Sequence, residues 1–113
     1  MTRVRDPIHD YIDLSDVEVK LVDTPAYQRL RWIKQLGPAN LVYPGANHTR
    51  HEHCMGTSHV VGKMADSVGL NSEEKQLASV AGLLHDLGQT AFSHLGDEIR
   101  GVDDHVIRTN QLI

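Results

Sequence analysis

The segment from residue 71 to residue 88 constrains the fold most, because its apolar residues recur with the period of an α-helix. Asn71 and Glu74 are spaced as a capping box, with asparagine in the Ser/Thr position. The apolar residues that follow fit the i, i+3, i+4, i+7 pattern: Leu77, Val80, Ala81 and Leu84. This helix ends at the pair His85-Asp86. A helix end holds neighbouring side chains rigidly while the next turn leaves them open to solvent, so the pair is a candidate site.

A second helix is predicted from about His51 to Val68, and Gly69 is its expected C-cap. The residues expected to form its buried stripe are Cys54, Thr57, Val61, Met64, Ala65 and Val68. If the two helices pack antiparallel, His53 at the start of this helix meets the His-Asp pair at the end of the other. Two imidazoles and a carboxylate suit Mn, Fe, Co, Ni or Zn rather than Ca. The alternative is that both histidines are partly buried and only cap helix ends.

The remaining segments predict an all-α chain with a small β element at its N-terminus. Residues 3–14 alternate loosely around a proline, which favours a short strand or hairpin. Helices are predicted at residues 15–23, 24–36 and 92–100 and from about residue 103, and a loop at residues 37–50.

Length, charge and residue composition exclude several classes of protein and function. The 113 residues carry 11 Lys+Arg and 15 Asp+Glu, a net charge of -4. This is the length of one domain, and the acidic balance argues against binding to duplex nucleic acid. Neither a membrane span nor a signal peptide is expected, because no apolar run is long enough. The single cysteine, Cys54, cannot form an internal disulfide, which fits the cytoplasm. Eight histidines are more than an ordinary chain carries, and histidine is the commonest metal ligand.

Four stretches carry a resemblance to a known family: DPIHDYIDL, DTPAYQRLRWIKQLG, VYPGANHTRHEHCMGTSH and AGLLHDLGQTAFSH. In this order, over roughly residues 5–100, they resemble the HD-domain metal-dependent phosphohydrolases. The chain is most similar to the deoxynucleoside triphosphate triphosphohydrolase branch, which includes the SAM-and-HD-domain proteins. The resemblance implies an HD-domain helical bundle in which residues 1–113 form the N-terminal portion of one HD domain, without the family's distal helices.

The resemblance also implies a metal site. In the family the metal is held by a histidine of an R-x-E-H motif, by the His-Asp pair and by a distant aspartate. His53, His85 and Asp86 would therefore bind a divalent transition metal, with Mg entering with the substrate. The distant aspartate lies beyond the reach of this chain, since Asp103 and Asp104 come too early in the motif order.

Five residues receive catalytic or substrate-binding roles from the same resemblance. Arg50 would touch the substrate phosphate, which suits its planar, permanently charged fork. Gln35 and Leu36 would approach the sugar and base of the nucleotide. His94, oriented by Asp97, would protonate the leaving oxygen. From the residues alone, an exposed helix-end side chain is the preferred interpretation of Gln35, and the His94–Asp97 pair could be a solvated surface pair.

The implied function is hydrolysis of (deoxy)nucleoside triphosphates to nucleoside and triphosphate, with the nucleotide as the main partner and self-association expected. One alternative is a truncated, non-catalytic HD module that binds metal or nucleotide or docks onto a partner. The missing distant aspartate motivates it, as does Gln89, which stands where the family commonly has a histidine and cannot act as an acid. A further alternative is an HD phosphomonoesterase or phosphodiesterase.

Overall fold

The computed structural model of the chain describes residues 2–88, and it begins with a β-hairpin. Strands β1 (Thr2–Asp6) and β2 (Asp10–Leu14) pair antiparallel, with Val4 opposite Ile12. This confirms the predicted N-terminal β element. The helices expected at residues 92–100 and from about residue 103 lie outside the described residues, as do His94 and Asp97.

Two short helices follow the hairpin. Helix α1 (Asp16–Val22) begins with a capping box, in which Glu18 N donates to Ser15 Oγ and Ser15 N donates to Glu18 Oε2. Helix α2 (Pro25–Gln28) is capped by the Thr24 side chain and continues as a 3-10 helix at Arg29–Trp32. Both helices begin where the sequence predicts, because a local capping residue marks each start.

The predicted continuation of this helix to residue 36 is wrong, because the chain becomes extended at Ile33 (φ -111°, ψ 111°). Ile33 O accepts a hydrogen bond from Arg50 N at 2.7 Å, and Gln35 N donates to His48 O at 3.1 Å. Lys34 and Thr49 form an isolated antiparallel bridge between these two bonds. Gln35 therefore lies beside the next helix rather than at an exposed helix end. A second 3-10 helix follows at Gly37–Leu41.

The two long helices are α3 (Arg50–Ser67) and α4 (Ser72–Leu84). Thr49 and Glu52 form a capping box at the start of α3, and Asn71 and Glu74 form another at the start of α4. Gly69 adopts the left-handed conformation (φ 78°) that ends a helix, as its position predicted.

The two long helices pack antiparallel. Gly82 in the last turn of α4 faces Ser58 in the middle of α3, while Gly62, one turn farther along α3, faces Ser79, almost one turn earlier in α4. Small residues thus stand at two close contacts between the helices, and the antiparallel packing brings the C-terminus of α4 to the N-terminus of α3.

The buried face of each long helix differs from the predicted stripe. On α4, Ser79 and Leu83 are buried while Leu77 is 72% exposed. On α3, Cys54 and Ala65 are buried as expected, but two members of the predicted stripe, Met64 and Val68, are exposed. The buried core cluster comprises Ile12, Leu14, Val22, Tyr27, Leu30, Ile33, Cys54, Met55, Leu83 and Leu87. Within residues 2–88 the fold is thus mostly helical with a short β-hairpin, and no helix there is long and apolar enough to cross a membrane.

Candidate metal centre

Three side chains expected from the sequence to converge do lie together. His53 occupies the first turn of α3, while His85 caps the C-terminus of α4 and Asp86 follows it. Their nearest ligand atoms are separated by 3.3 Å between His53 Nε2 and His85 Nε2, and by 3.1 Å from each of these nitrogens to Asp86 Oδ2. One ligand atom from each residue lies within 4.8 Å of the others.

These separations match the distances between ligand atoms that bind the same metal ion. Bonds of about 2.1 Å to one ion place neighbouring donors about 3.0 Å apart in an octahedron and about 3.4 Å apart in a tetrahedron. The observed 3.1 to 3.3 Å falls between these two values. Two imidazole nitrogens and one carboxylate oxygen are donors that borderline divalent metals accept. The three residues could therefore hold one ion.

A backbone carbonyl orients one of the two imidazoles. His85 Nδ1 lies 2.6 Å from Gly82 O, one turn back along α4. A carbonyl oxygen only accepts, so Nδ1 carries a proton, and once His85 is neutral its Nε2 lone pair faces the ligand atoms of His53 and Asp86. Sequence reasoning missed this contact. The available signal was the position of Gly82 in the last turn of α4, where the carbonyls of a helix have no intrahelical partner.

Two further residues surround the group. Arg50, only 4% exposed, donates from Nη1 to Asp86 Oδ2 at 2.8 Å and from Nη2 to Gln35 O at 3.2 Å. The Gln35 amide nitrogen lies 3.0 Å from His53 Nδ1. Arg50 is thus bonded to one candidate ligand and Gln35 to another, while their predicted contacts with a nucleotide stay predictions.

The electrostatics of the group favour an ionised carboxylate. Burial of Asp86 acts to raise its pKa, but the hydrogen bond with His85 and the charges of His85 and Arg50 outweigh it and hold the pKa well below its usual range. The hydrogen bond to Asp86 raises the pKa of His85, whereas burial lowers the pKa of His53. A metal ion binding here must displace any proton that His85 holds on Nε2.

A cavity of about 630 Å³ adjoins the group. His53 and Gln35 contribute to its wall. The other lining residues are Asp6, Pro7, Ile8, His9, His48, Glu52, Gly56, Thr57, Val60, Val61 and Met64. Leu36 is 53% exposed and does not belong to this lining set within residues 2–88. Sequence reasoning missed the polar lining residues His48 and Glu52, which come from the loop before α3 and from its first turn.

Comparison with known families identifies the fold around this group. The profile of the HD domain matches residues 50–112, more than half of the chain. The chain belongs to the HD-domain family. HD domains bind divalent metals, in agreement with the grouping of two histidines and an aspartate.

Relatives of this HD-domain chain include the human deoxynucleoside triphosphate triphosphohydrolase SAMHD1. The two are 42% identical over 104 residues, which cover 86% of this chain and 17% of the human protein. An uncharacterized protein of Methanocaldococcus jannaschii is 46% identical over 94 residues, 83% of this chain and 20% of that protein. The chain therefore spans about a fifth of the length of these curated relatives or less.

A solved structure also resembles the chain. The crystal structure of a hypothetical protein from Aquifex aeolicus superposes with a TM-score of 0.86 at 38% identity. The superposition covers 99% of this chain and 30% of that protein. It supports the same fold for this HD domain.

Proposed function

We propose that this chain is a metal-dependent phosphohydrolase that acts on (deoxy)nucleoside triphosphates and releases nucleoside and triphosphate. The convergence of His53, His85 and Asp86 on one point carries the proposal. The similarity to human SAMHD1, a deoxynucleoside triphosphate triphosphohydrolase by name, supports the substrate class. In this proposal residues 1–113 form the N-terminal portion of a single HD domain.

A bound divalent metal would polarise a phosphoryl oxygen and lower the pKa of a bound water. Asp86 stays ionised in this environment and offers a charged oxygen donor. His85 offers a neutral nitrogen whose direction is set by Gly82 O. Arg50 holds a permanent positive charge beside Asp86, where it can offset charge that develops on a phosphate.

The remaining roles follow the resemblance. Gln35, in the wall of the cavity, and Leu36, next to it in the chain, would contact the sugar and base of the nucleotide. His94, oriented by Asp97, would give a proton to the leaving oxygen.

Two further properties belong to the same proposal. A reducing compartment, the cytoplasm, fits a chain whose only cysteine is buried and unpaired. Self-association fits the exposure of large apolar side chains, of which Trp32 and Leu41 are each 83% exposed.

A hydrolysis assay on the purified 113-residue chain tests the function. Mixed dNTPs are incubated with Mn²⁺ or with a chelator, and chromatography separates nucleoside, monophosphate and diphosphate. We expect nucleoside release that requires Mn²⁺ and is lost in His85→Ala. His59→Ala is the matched control, because His59 packs on His9, with ring centroids 4.8 Å apart, rather than on the ligand group. This variant should retain the activity.

Other outcomes favour the alternatives. Monophosphate or diphosphate as the first product, or cleavage of phosphomonoesters or phosphodiesters in place of dNTPs, would assign the chain to another HD phosphohydrolase activity. Bound metal and an intact fold without any hydrolysis would favour a non-catalytic HD module, the reading that Gln89 motivates.

A further inference from the structure

The Gln35 side chain is placed against His53 by the backbone around it. Gln35 N donates to His48 O at 3.1 Å, and Gln35 O accepts from Arg50 Nη2 at 3.2 Å. Both backbone polar groups of Gln35 are therefore bonded to the segment that begins α3. The side-chain amide then lies 3.0 Å from His53 Nδ1, although the two residues are 18 positions apart in sequence.

The two candidate imidazole ligands differ in the group that faces Nδ1. Gly82 O faces His85 and can only accept, so it imposes the tautomer with a proton on Nδ1. An amide faces His53, and an amide offers either an NH₂ donor or an oxygen acceptor. The tautomer of His53 therefore depends on which end of the Gln35 amide it meets.

Metal binding selects one of these arrangements. An imidazole that gives its Nε2 lone pair to a metal ion carries its proton on Nδ1 and donates from it. The NH₂ group of Gln35 cannot accept that proton, whereas Gln35 Oε1 can. The amide must then present its oxygen to His53 Nδ1, which a half-turn of its terminal torsion achieves.

We propose that Gln35 is a positioning residue for the metal centre, which accepts the Nδ1 proton of His53 and thereby fixes the tautomer and ring orientation of this ligand. The role rests on the metal centre of the proposed function. It is separate from the nucleotide contact that the family resemblance gives to Gln35, because it acts before any substrate is bound.

The test measures the Kd of Mn²⁺ without substrate, by competition with a fluorescent chelator. Gln35→Leu removes the acceptor at similar volume, and loss of such an outer partner weakens metal binding about 10- to 100-fold. Gln35→Glu keeps an acceptor for the Nδ1 proton, so it should bind Mn²⁺ at least as tightly as the wild type. Gln76→Leu is the matched control, because the half-buried Gln76 donates to Glu18 on α1, away from the metal centre. Its Kd should equal that of the wild type.

The Kd values of the variants distinguish the positioning role of Gln35 from the proposed function. A wild-type Kd in Gln35→Leu, with its fold verified by circular dichroism, would overturn the positioning role. A loss in Gln35→Glu as large as in Gln35→Leu would also overturn it, because the acceptor alone would then not matter. If the wild type binds Mn²⁺, shows this pattern and hydrolyses no nucleotide, the positioning role stands and the proposed function fails. If the wild type binds no Mn²⁺, the metal centre fails and the positioning role with it.

Discussion

We expect the close approach of α4 to α3 at Gly82 to set the separation of the candidate ligands. A Cβ atom added at Gly82 would lie 3.4 Å from Ser58 Cα, 3.5 Å from Ser58 N and 3.4 Å from Val61 Cγ2. Two of these three atoms belong to the backbone of α3 and cannot rotate away. Because His85 follows three residues later, a shift of α4 at Gly82 moves His85 relative to His53.

The substitution Gly82→Val tests this dependence. Each added methyl carbon lies about 1.5 Å beyond Cβ, while non-bonded carbons prefer about 3.5–4.0 Å. The backbone of Ser58 already lies at contact distance from Cβ and leaves no room for these methyl groups. The helices must therefore separate locally by on the order of 1 Å. Overpacking of this kind costs about 1–3 kcal/mol of stability, and the better helix propensity of valine returns only about 0.4 kcal/mol.

The expected loss at the metal centre follows from the same shift. Metal–ligand bonds tolerate deviations of about 0.2 Å, several times less than this separation. Gly82 O and His85 belong to the same helix end and move together, so the shift carries His85 Nε2 away from His53. Displacing a ligand itself should cost at least as much as losing an outer partner of a ligand, so we expect Gly82→Val to weaken Mn²⁺ binding by at least about tenfold.

Gly62→Val is the matched control on the same interface. A Cβ at Gly62 would meet Ser79 Oγ at 3.4 Å and Lys75 Cε at 3.7 Å, both side-chain atoms that can rotate. Gly62 also lies nine positions beyond His53 along α3, so its substitution should leave the Mn²⁺ Kd unchanged. Urea unfolding followed by circular dichroism gives the stabilities, and chelator competition gives the Kd. If Gly82→Val binds Mn²⁺ as the wild type does, or if Gly62→Val weakens binding equally, the interface at Gly82 does not set the ligand separation.

Two other predictions concern buried titratable groups near α3. Burial lowers the pKa of His51, which is 6% exposed, to about 4. The unfolded chain, with a histidine pKa near 6.5, then binds more protons, and stability falls as the pH drops from 6.5 toward 4. Urea unfolding in the presence of a chelator measures this effect. Between pH 7 and pH 5 the free energy of unfolding should fall by about 2 kcal/mol more in the wild type than in His51→Phe. An equal fall in both would show that His51 does not cause the pH dependence. Burial raises the pKa of Cys54 to about 12, so a thiol reagent at pH 8 should label the urea-unfolded chain and not the folded one. Rapid labelling of the folded chain would contradict the buried position.

The convergence of the ligands could be predicted because each step depends on local sequence. The caps at Asn71 and Gly69 mark where α4 begins and α3 ends, and the short connection between them makes the helices antiparallel neighbours. Antiparallel packing then brings the start of α3 to the end of α4, so His53 meets His85. No long-range information was needed.

The position of Gln35 could not be predicted, because it depends on a contact between distant segments. The spacing of residues 24–36 is compatible with a helix throughout, and nothing local marks its end at Trp32. The chain leaves the helix where Ile33 O accepts from Arg50 N, a bond that exists only when the start of α3 is in place. Tertiary pairing overrides local propensity here, and the same pairing places the Gln35 amide against His53.

The face of α4 that contacts α3 could not be predicted either, and the reason concerns the metal centre directly. Periodicity of large apolar residues identified the helix, yet Leu77 lies on the exposed side and Ser79 and Gly82 lie toward α3. A pattern that counts large apolar residues gives no weight to serine or glycine. Close approach of two helices nevertheless requires such small residues, and this approach holds His53 and His85 at metal-binding distance. The residues that set the geometry of the centre are therefore those that a hydrophobic pattern leaves out.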